Sequence, residues 1–178
     1  GLSRMGLRQK LARFGLEGKG RAINEAGVRL AREAIAEAGP GSQGAWVAGS
    51  IGPTGLNVKG MTERDLAELR AAFHEQAQGL TGADVIAIET MRQPGEMGLA
   101  IEAVKAACDL PIVAMVSFDP FGTMADGTSP EAMADKLAAL GMVSVFDIEE
   151  VGAEALVSEL EITQELAEKV VETCSTKA

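Results

Sequence analysis

A chain of 178 residues, 47% of them apolar, suits one domain of ordinary size with a sizeable core. Its formal net charge of −10 repels phosphate backbones and anionic lipid, and 3% aromatics, with no tyrosine, leave little to stack on single-stranded nucleic acid. Nucleic acid and membrane surfaces are therefore excluded as partners, and no apolar run reaches the ~20 residues that span a bilayer. No signal-peptide pattern opens the chain, so a cytoplasmic protein is expected.

Arg4, Arg8, Lys10 and Arg13 are interleaved with apolar residues and predict a helix face over 4–16, closed by Gly15 or Gly18. A helix from about Arg21 to Ala38 follows, with Ile23, Ala26, Leu30, Ala34, Ile35 and Ala38 as its apolar stripe. Gly39-Pro40-Gly41 stops it. Trp46-Val47-Ala48 reads as a short strand that runs into a glycine-rich turn, Gly49 to Gly55. Such a turn lets backbone approach a ligand, or cradles an anion on its N–H groups, or simply leaves a strand; its spacing is neither a dinucleotide fingerprint nor a P-loop. Thr62 caps the next helix, which carries Leu66, Leu69, Phe73, Ala77 and Leu80 inward and the only histidine, His74, on its flank.

Ala83 to Thr90 is an apolar run ending in a carboxylate, Glu89. It shows no alternation, which predicts a parallel strand buried on both faces. Pro94 opens another helix, with Glu96 near its start and Met97, Ile101, Val104 and Cys108 as its stripe. Pro111 to Val116 is a third strand, ending in Ser117-Phe118-Asp119. After a polar loop, Ser129-Pro130-Glu131 starts a helix that Gly141 ends, with Met133, Leu137 and Leu140 inside. Met142 to Phe146 is a fourth strand leading to Asp147. The stretch 149–178 is acidic and helix-prone, with Thr163 capping a last helix that carries Leu166, Val170 and Cys174. Two cysteines, Cys108 and Cys174, make neither a disulfide framework nor a cysteine-only zinc site.

Strands alternating with single helices predict an α/β fold with a parallel sheet of four βα units. All strand ends then emerge on one side, bringing Ser50, Glu89, Thr90, Ser117, Asp119 and Asp147 to one mouth. Carboxylates and hydroxyls together suit an ammonium-bearing ligand or a hard metal ion. The alternative is that these residues only cap the helices that follow.

Four segments together resemble the homocysteine S-methyltransferase (homocysteine-binding domain) family: Leu11 to Glu17, Val47 to Gly55, Ile86 to Thr90, and Asp126 to Glu131. The likeness covers roughly 4–146 and implies part of a (β/α)8 TIM barrel, from just after its second strand to about its sixth. It implies one partial homocysteine-binding domain over 1–178 with a divergent helical segment at 149–178. It also implies methyl transfer to the sulfur of homocysteine, the step that forms methionine, through a zinc-bound thiolate. Glu89 matches the glutamate that holds the amino acid's ammonium group, and the turn containing Ser50 and Gly52 matches a loop at the same mouth. The candidate substrate-binding set is Ser50, Gly52, Glu89, Thr90 and Ser117, with no catalytic residue or metal ligand assigned.

The family's zinc ligands are three cysteines. Phe146-Asp147-Ile148-Glu149 stands where the first is expected, and the later adjacent pair has no counterpart. The family's first two strands, with their own carboxylate, have none either. Three readings stay open: a methyltransferase lacking its zinc half, including a corrinoid- or folate-linked one with another acceptor; a non-catalytic binding or scaffold module; and an unrelated α/β enzyme using Mg²⁺. Four strands cannot close a barrel, so a partner chain, a second copy above all, or a cover of C-terminal helices is expected. The loss of likeness after Phe146 fits a sequence that is part of a longer protein.

Overall fold

The computed structural model describes residues 11, 14–42, 44–142, 153, 154, 157 and 163–175. They fall in two compact units, Gly1–Pro130 and Glu131–Ala178. The first holds α1 (Gly20–Glu37), β1 (Ala48–Ile51), α2 (Glu63–Gly79), β2 (Val85–Met91), α3 (Pro94–Ala107) and β3 (Ile112–Val116). Apart from the first residue of α4 (Pro130–Ala139), the second holds that helix and α5 (Gln164–Ser175). Residues 143–146 of the expected fourth strand, Asp147, most of the helix at 4–16 and the side chains of Leu166, Val170 and Cys174 lie outside the described residues.

α2 begins as its sequence dictates. Asp65 N–H donates to the Thr62 hydroxyl at 3.3 Å, and Thr62 N–H donates back to the Asp65 carboxylate at 3.1 Å. This reciprocal cap satisfies two N–H groups that a helix start otherwise leaves open. Leu69, Phe73 and Ala77 then fall on one face, are buried, and pack toward α3, β1 and α1. Burying a side chain such as Leu69 or Phe73 contributes about 1.5–3 kcal/mol each. α3 presents Met97, Ile101 and Val104, all fully buried, as its stripe predicts.

The three described strands are parallel, in the order β1-β2-β3. Ala48 pairs with Val85 and Ile51 with Ile88, while Ile86 pairs with Ile112. One sheet face is dry: Gly49, Ile51, Ile86 and Ile88 are buried. The other is not. Ala48 and Ser50 are exposed, Val85 and Ala87 half-buried, and Val113 is 48% exposed. The expectation of burial on both faces is thus corrected: the unbroken apolar run hides an alternation, with small or short side chains on the wetter face.

β1 also starts later and runs further than its sequence suggests. Gly49 and Ser50 belong to the strand and not to a turn. A Cβ on Gly49 would lie 3.0 Å from Leu80 Cβ and 3.1 Å from Ile86 Cδ1, so this glycine makes room for the core.

α1 turns a different face inward from the one its apolar stripe marks. Ile23 is 40% and Leu30 60% exposed, while Gly20 and Val28 are buried. A Cβ on Gly79 would lie 2.7 Å from the Arg21 carbonyl and 2.8 Å from Asn24 Cβ, and one on Gly82 would lie 3.1 Å from Val28 Cγ1. The glycines at the end of α2 admit the line Arg21, Asn24, Val28, and backbone contact outweighs the stripe there. Arg32 continues this line, donating to the Gly82 carbonyl at 3.0 Å and to Asp84 at 2.6 Å.

Asp84 closes the lower end of the sheet by also accepting the Val47 N–H at 2.7 Å. The Arg32 guanidinium, and then the Val47 N–H, hold its carboxyl below the ordinary aspartate range. Because the folded pKa lies below the unfolded one, this contribution is complete above the unfolded value. It is lost as pH falls through the folded value, from about pH 5 downward. Asp84→Asn is therefore expected to flatten the acid limb of stability. Urea midpoints measured across acidic pH should fall less steeply in the variant than in the native chain; parallel curves would refute the assignment.

Candidate functional site

β2 ends in a bulge. Ile88 pairs with Ala114 and Met91 with Val116, so β2 carries one residue more than β3 between these pairs. Thr90 absorbs it with φ of 58°, a left-handed conformation that costs a β-branched residue of order 1–3 kcal/mol. Bulges re-aim side chains at strand ends. Here the side chain beside the bulge is Glu89, which accepts a hydrogen bond from the Ser50 hydroxyl of β1. The Ser50 carbonyl in turn accepts from Gln76 Nε2 of α2 at 3.1 Å. Glu89 is half-buried, and no lysine or arginine among the described residues pairs with it. An oriented, partly desolvated carboxylate without a cation among its described neighbours has the chemistry to accept one.

The loop after β1 is held from α3. Glu96, 1% exposed, accepts both the N–H of Thr54, at 2.8 Å, and its hydroxyl. Gln93 accepts the Val58 N–H at 3.0 Å and donates to the Leu56 carbonyl at 2.5 Å. The N–H groups of Leu56 and Lys59 are taken by Thr54 Oγ1 and Asn57 Oδ1. Of the turn from Gly49 to Gly55 the Thr54 amide is committed within the chain, as are those of Leu56, Val58 and Lys59 just after it, so none of these four can cradle an anion. Gly55 serves its backbone, at φ of 77°. Gly52 does not need to be glycine for either reason: its φ is ordinary and a Cβ there would meet open space. Sequence reasoning missed Gln93 and took Glu96 only as a first-turn acid.

Ser117 is brought to the same edge by its N–H bond to the Met91 carbonyl at 2.8 Å, although its hydroxyl does not bond the Ser50–Glu89 pair. Asp119 turns inward to its own loop. It accepts from the N–H groups of Phe121 at 2.9 Å and Thr123 at 3.0 Å and from the Thr123 hydroxyl. The Thr123 N–H first, then the Phe121 N–H and the Thr123 hydroxyl, with the charge of Arg92, lower its pKa. The acidic mouth inferred for Asp119 is corrected accordingly: this carboxylate builds a turn. His74 is half-buried in the middle of α2. Cys108 lies just past α3 in extended backbone, half-buried, not on the helix stripe where the periodicity puts it. Its place between α3 and β3 is at the sheet edge opposite Glu89.

A family model described as homocysteine S-methyltransferase matches residues 4–163. The chain belongs to the homocysteine S-methyltransferase family. Among solved structures it is similar to the homocysteine methyltransferase MmuM from Escherichia coli in its apo form, with 21% identity and a TM-score of 0.58. The likeness covers 75% of this chain and 55% of that one, so the chain spans little more than half the length of that relative. At this identity the likeness speaks for the fold, a partial TIM-barrel-like parallel sheet. No curated protein matches the chain. The homocysteine S-methyltransferase match extends over both compact units.

The zinc that this family implies does not fit the residues at hand. Three thiolates need three cysteines and the chain has two, with Cys108 away from the mouth. Among the described residues no group of three or more His, Cys, Asp or Glu is placed to hold a metal ion. Nor is any helix among them long and apolar enough to cross a membrane.

Proposed function

We propose that this chain supplies the amino-acid-binding part of a homocysteine S-methyltransferase site. Glu89 receives the ammonium group of a homocysteine-like acceptor, and Ser50 fixes the orientation of its carboxylate. Gly52, Thr90 and Ser117 border the same mouth at the ends of β1, β2 and β3. The observation that carries this reading is a half-buried carboxylate at the end of the middle strand, bonded to a hydroxyl and lacking a cationic partner among the described residues. Family membership supports the acceptor class. In this reading a sulfur–methyl bond forms as the donor's bond to that methyl breaks, and no residue of this chain is assigned to activating the sulfur.

The test is calorimetric titration of the native chain with homocysteine and with 4-mercaptobutanoate, which lacks the ammonium group. Homocysteine is expected to bind at least about tenfold more tightly, the worth of one charge-assisted hydrogen bond. Equal affinities would remove the ammonium role from Glu89. The count of two cysteines favours a second reading, amino-acid binding without turnover. It is separated from the first by assaying methyl transfer to homocysteine in a preparation that binds it.

A further inference from the structure

The Ser50–Glu89 bond joins the ends of β1 and β2 at the rim. A second link joins the same two chain exits in the interior, where the loop after β1 is tied to the first turn of α3 through Thr54 and Glu96. Glu96 is 1% exposed, so a carboxylate has been taken out of water. A buried carboxylate is costly without hydrogen bonds, and one loop residue, Thr54, donates both its N–H and its hydroxyl to the same oxygen, Glu96 Oε1. Gln93 adds two bonds to the same loop, at Leu56 and Val58. These bonds tie the loop to α3 at Thr54, Leu56 and Val58, the first of them two residues beyond Gly52, which itself follows Ser50 and Ile51 of β1. Gly52 is half-buried, and a Cβ built on it would find nothing within 4 Å, so that side of the loop has room for a ligand.

We propose that Glu96 is a positioning residue for the acceptor site: through Thr54 it holds the loop after β1 in the form that completes the mouth around Glu89. The inference rests on the acceptor reading given above and extends it to a residue that never meets the ligand. Glu96 acts on affinity by preorganisation, since a loop already in its bound form is not ordered at the ligand's expense.

The experiment compares Glu96→Ala, Glu96→Gln, Thr54→Val and Glu89→Gln with the native chain. Homocysteine Kd is measured by calorimetry well below each variant's thermal midpoint, and amide exchange is followed at 54–58. Glu96→Ala and Thr54→Val are expected to weaken homocysteine binding about tenfold and to speed exchange of the Thr54 and Val58 amides, with Ile88 unchanged. Glu96→Gln keeps an oxygen acceptor and is expected to stay within about threefold of native. Thr54→Val decides the matter if Glu96→Ala does not fold, because it removes one hydroxyl from a loop residue.

A lower midpoint with an unchanged Kd in Thr54→Val or Glu96→Ala would make Glu96 merely structural and overturn the proposal. If those variants bind normally while Glu89→Gln does not, the proposal falls and the acceptor reading stands. If the native chain does not bind homocysteine, both fall.

Discussion

Glu89→Gln is expected to weaken homocysteine binding by about 10- to 100-fold, or ~1.4–2.8 kcal/mol, the range for losing a hydrogen bond to a charged group. The amide keeps the shape of the carboxylate and an oxygen to accept the Ser50 hydroxyl. What disappears is the negative charge. Glu89 lies half-buried, where water screens less than at an open surface, so the charge contributes more than a surface pair does. Because no salt bridge among the described residues is broken, the urea midpoint should barely move. Calorimetric titration beside a denaturant curve separates the two effects. Unchanged affinity would mean that the carboxylate faces no ammonium; a collapsed midpoint would make Glu89 a structural residue.

Phe73→Ala is expected to cost about 3–5 kcal/mol of folding stability, the cost of removing a buried aromatic ring and leaving a cavity. Phe73 is 2% exposed and lies between Leu69 and Ala77 on the α2 face that packs toward α3 and β1. Against the total of about 5–15 kcal/mol usual for a domain, the loss is about a fifth or more. It also reaches the mouth: Gln76, on the next turn of α2, donates to the Ser50 carbonyl. The urea midpoint should drop with little change in the denaturant slope, and homocysteine affinity should fall with it. Phe73→Leu, which keeps most of the volume, should lose less than about 1.5 kcal/mol. A loss below that in Phe73→Ala would show that the ring is not part of the core.

The stripes of α2 and α3 were readable because their apolar residues recur at helical spacing and each helix buries the face that the spacing marks. Glu89 was readable because a charge that ends an apolar run stands out. The inward face of α1 was not. Its contact line includes Asn24 and Arg32, and what selects it is the absence of side chains at Gly79 and Gly82, 50 or more residues downstream of their partners. The same holds for Gly49, which looks like part of a turn until Leu80 and Ile86 are seen to need its missing Cβ. Glu96 and Gln93 escaped because their partners, Thr54, Leu56 and Val58, lie far upstream and follow no period. Asp119 had a local signal that went unused: its acceptors serve Phe121 and Thr123, the ordinary work of an aspartate at the start of a turn.

Thr90 holds a backbone conformation that glycine or asparagine adopts more readily. It is kept there by neighbours paired on either side of the irregularity, Ile88 with Ala114 and Met91 with Val116. The backbone that carries the neighbouring carboxylate is consequently a stiff post: it cannot shift without unzipping a ladder on one flank. An acceptor arriving at such a post is sorted by whether its charge already fits the fixed spot. Discrimination of this kind shows itself in how fast ligands leave more than in how fast they arrive.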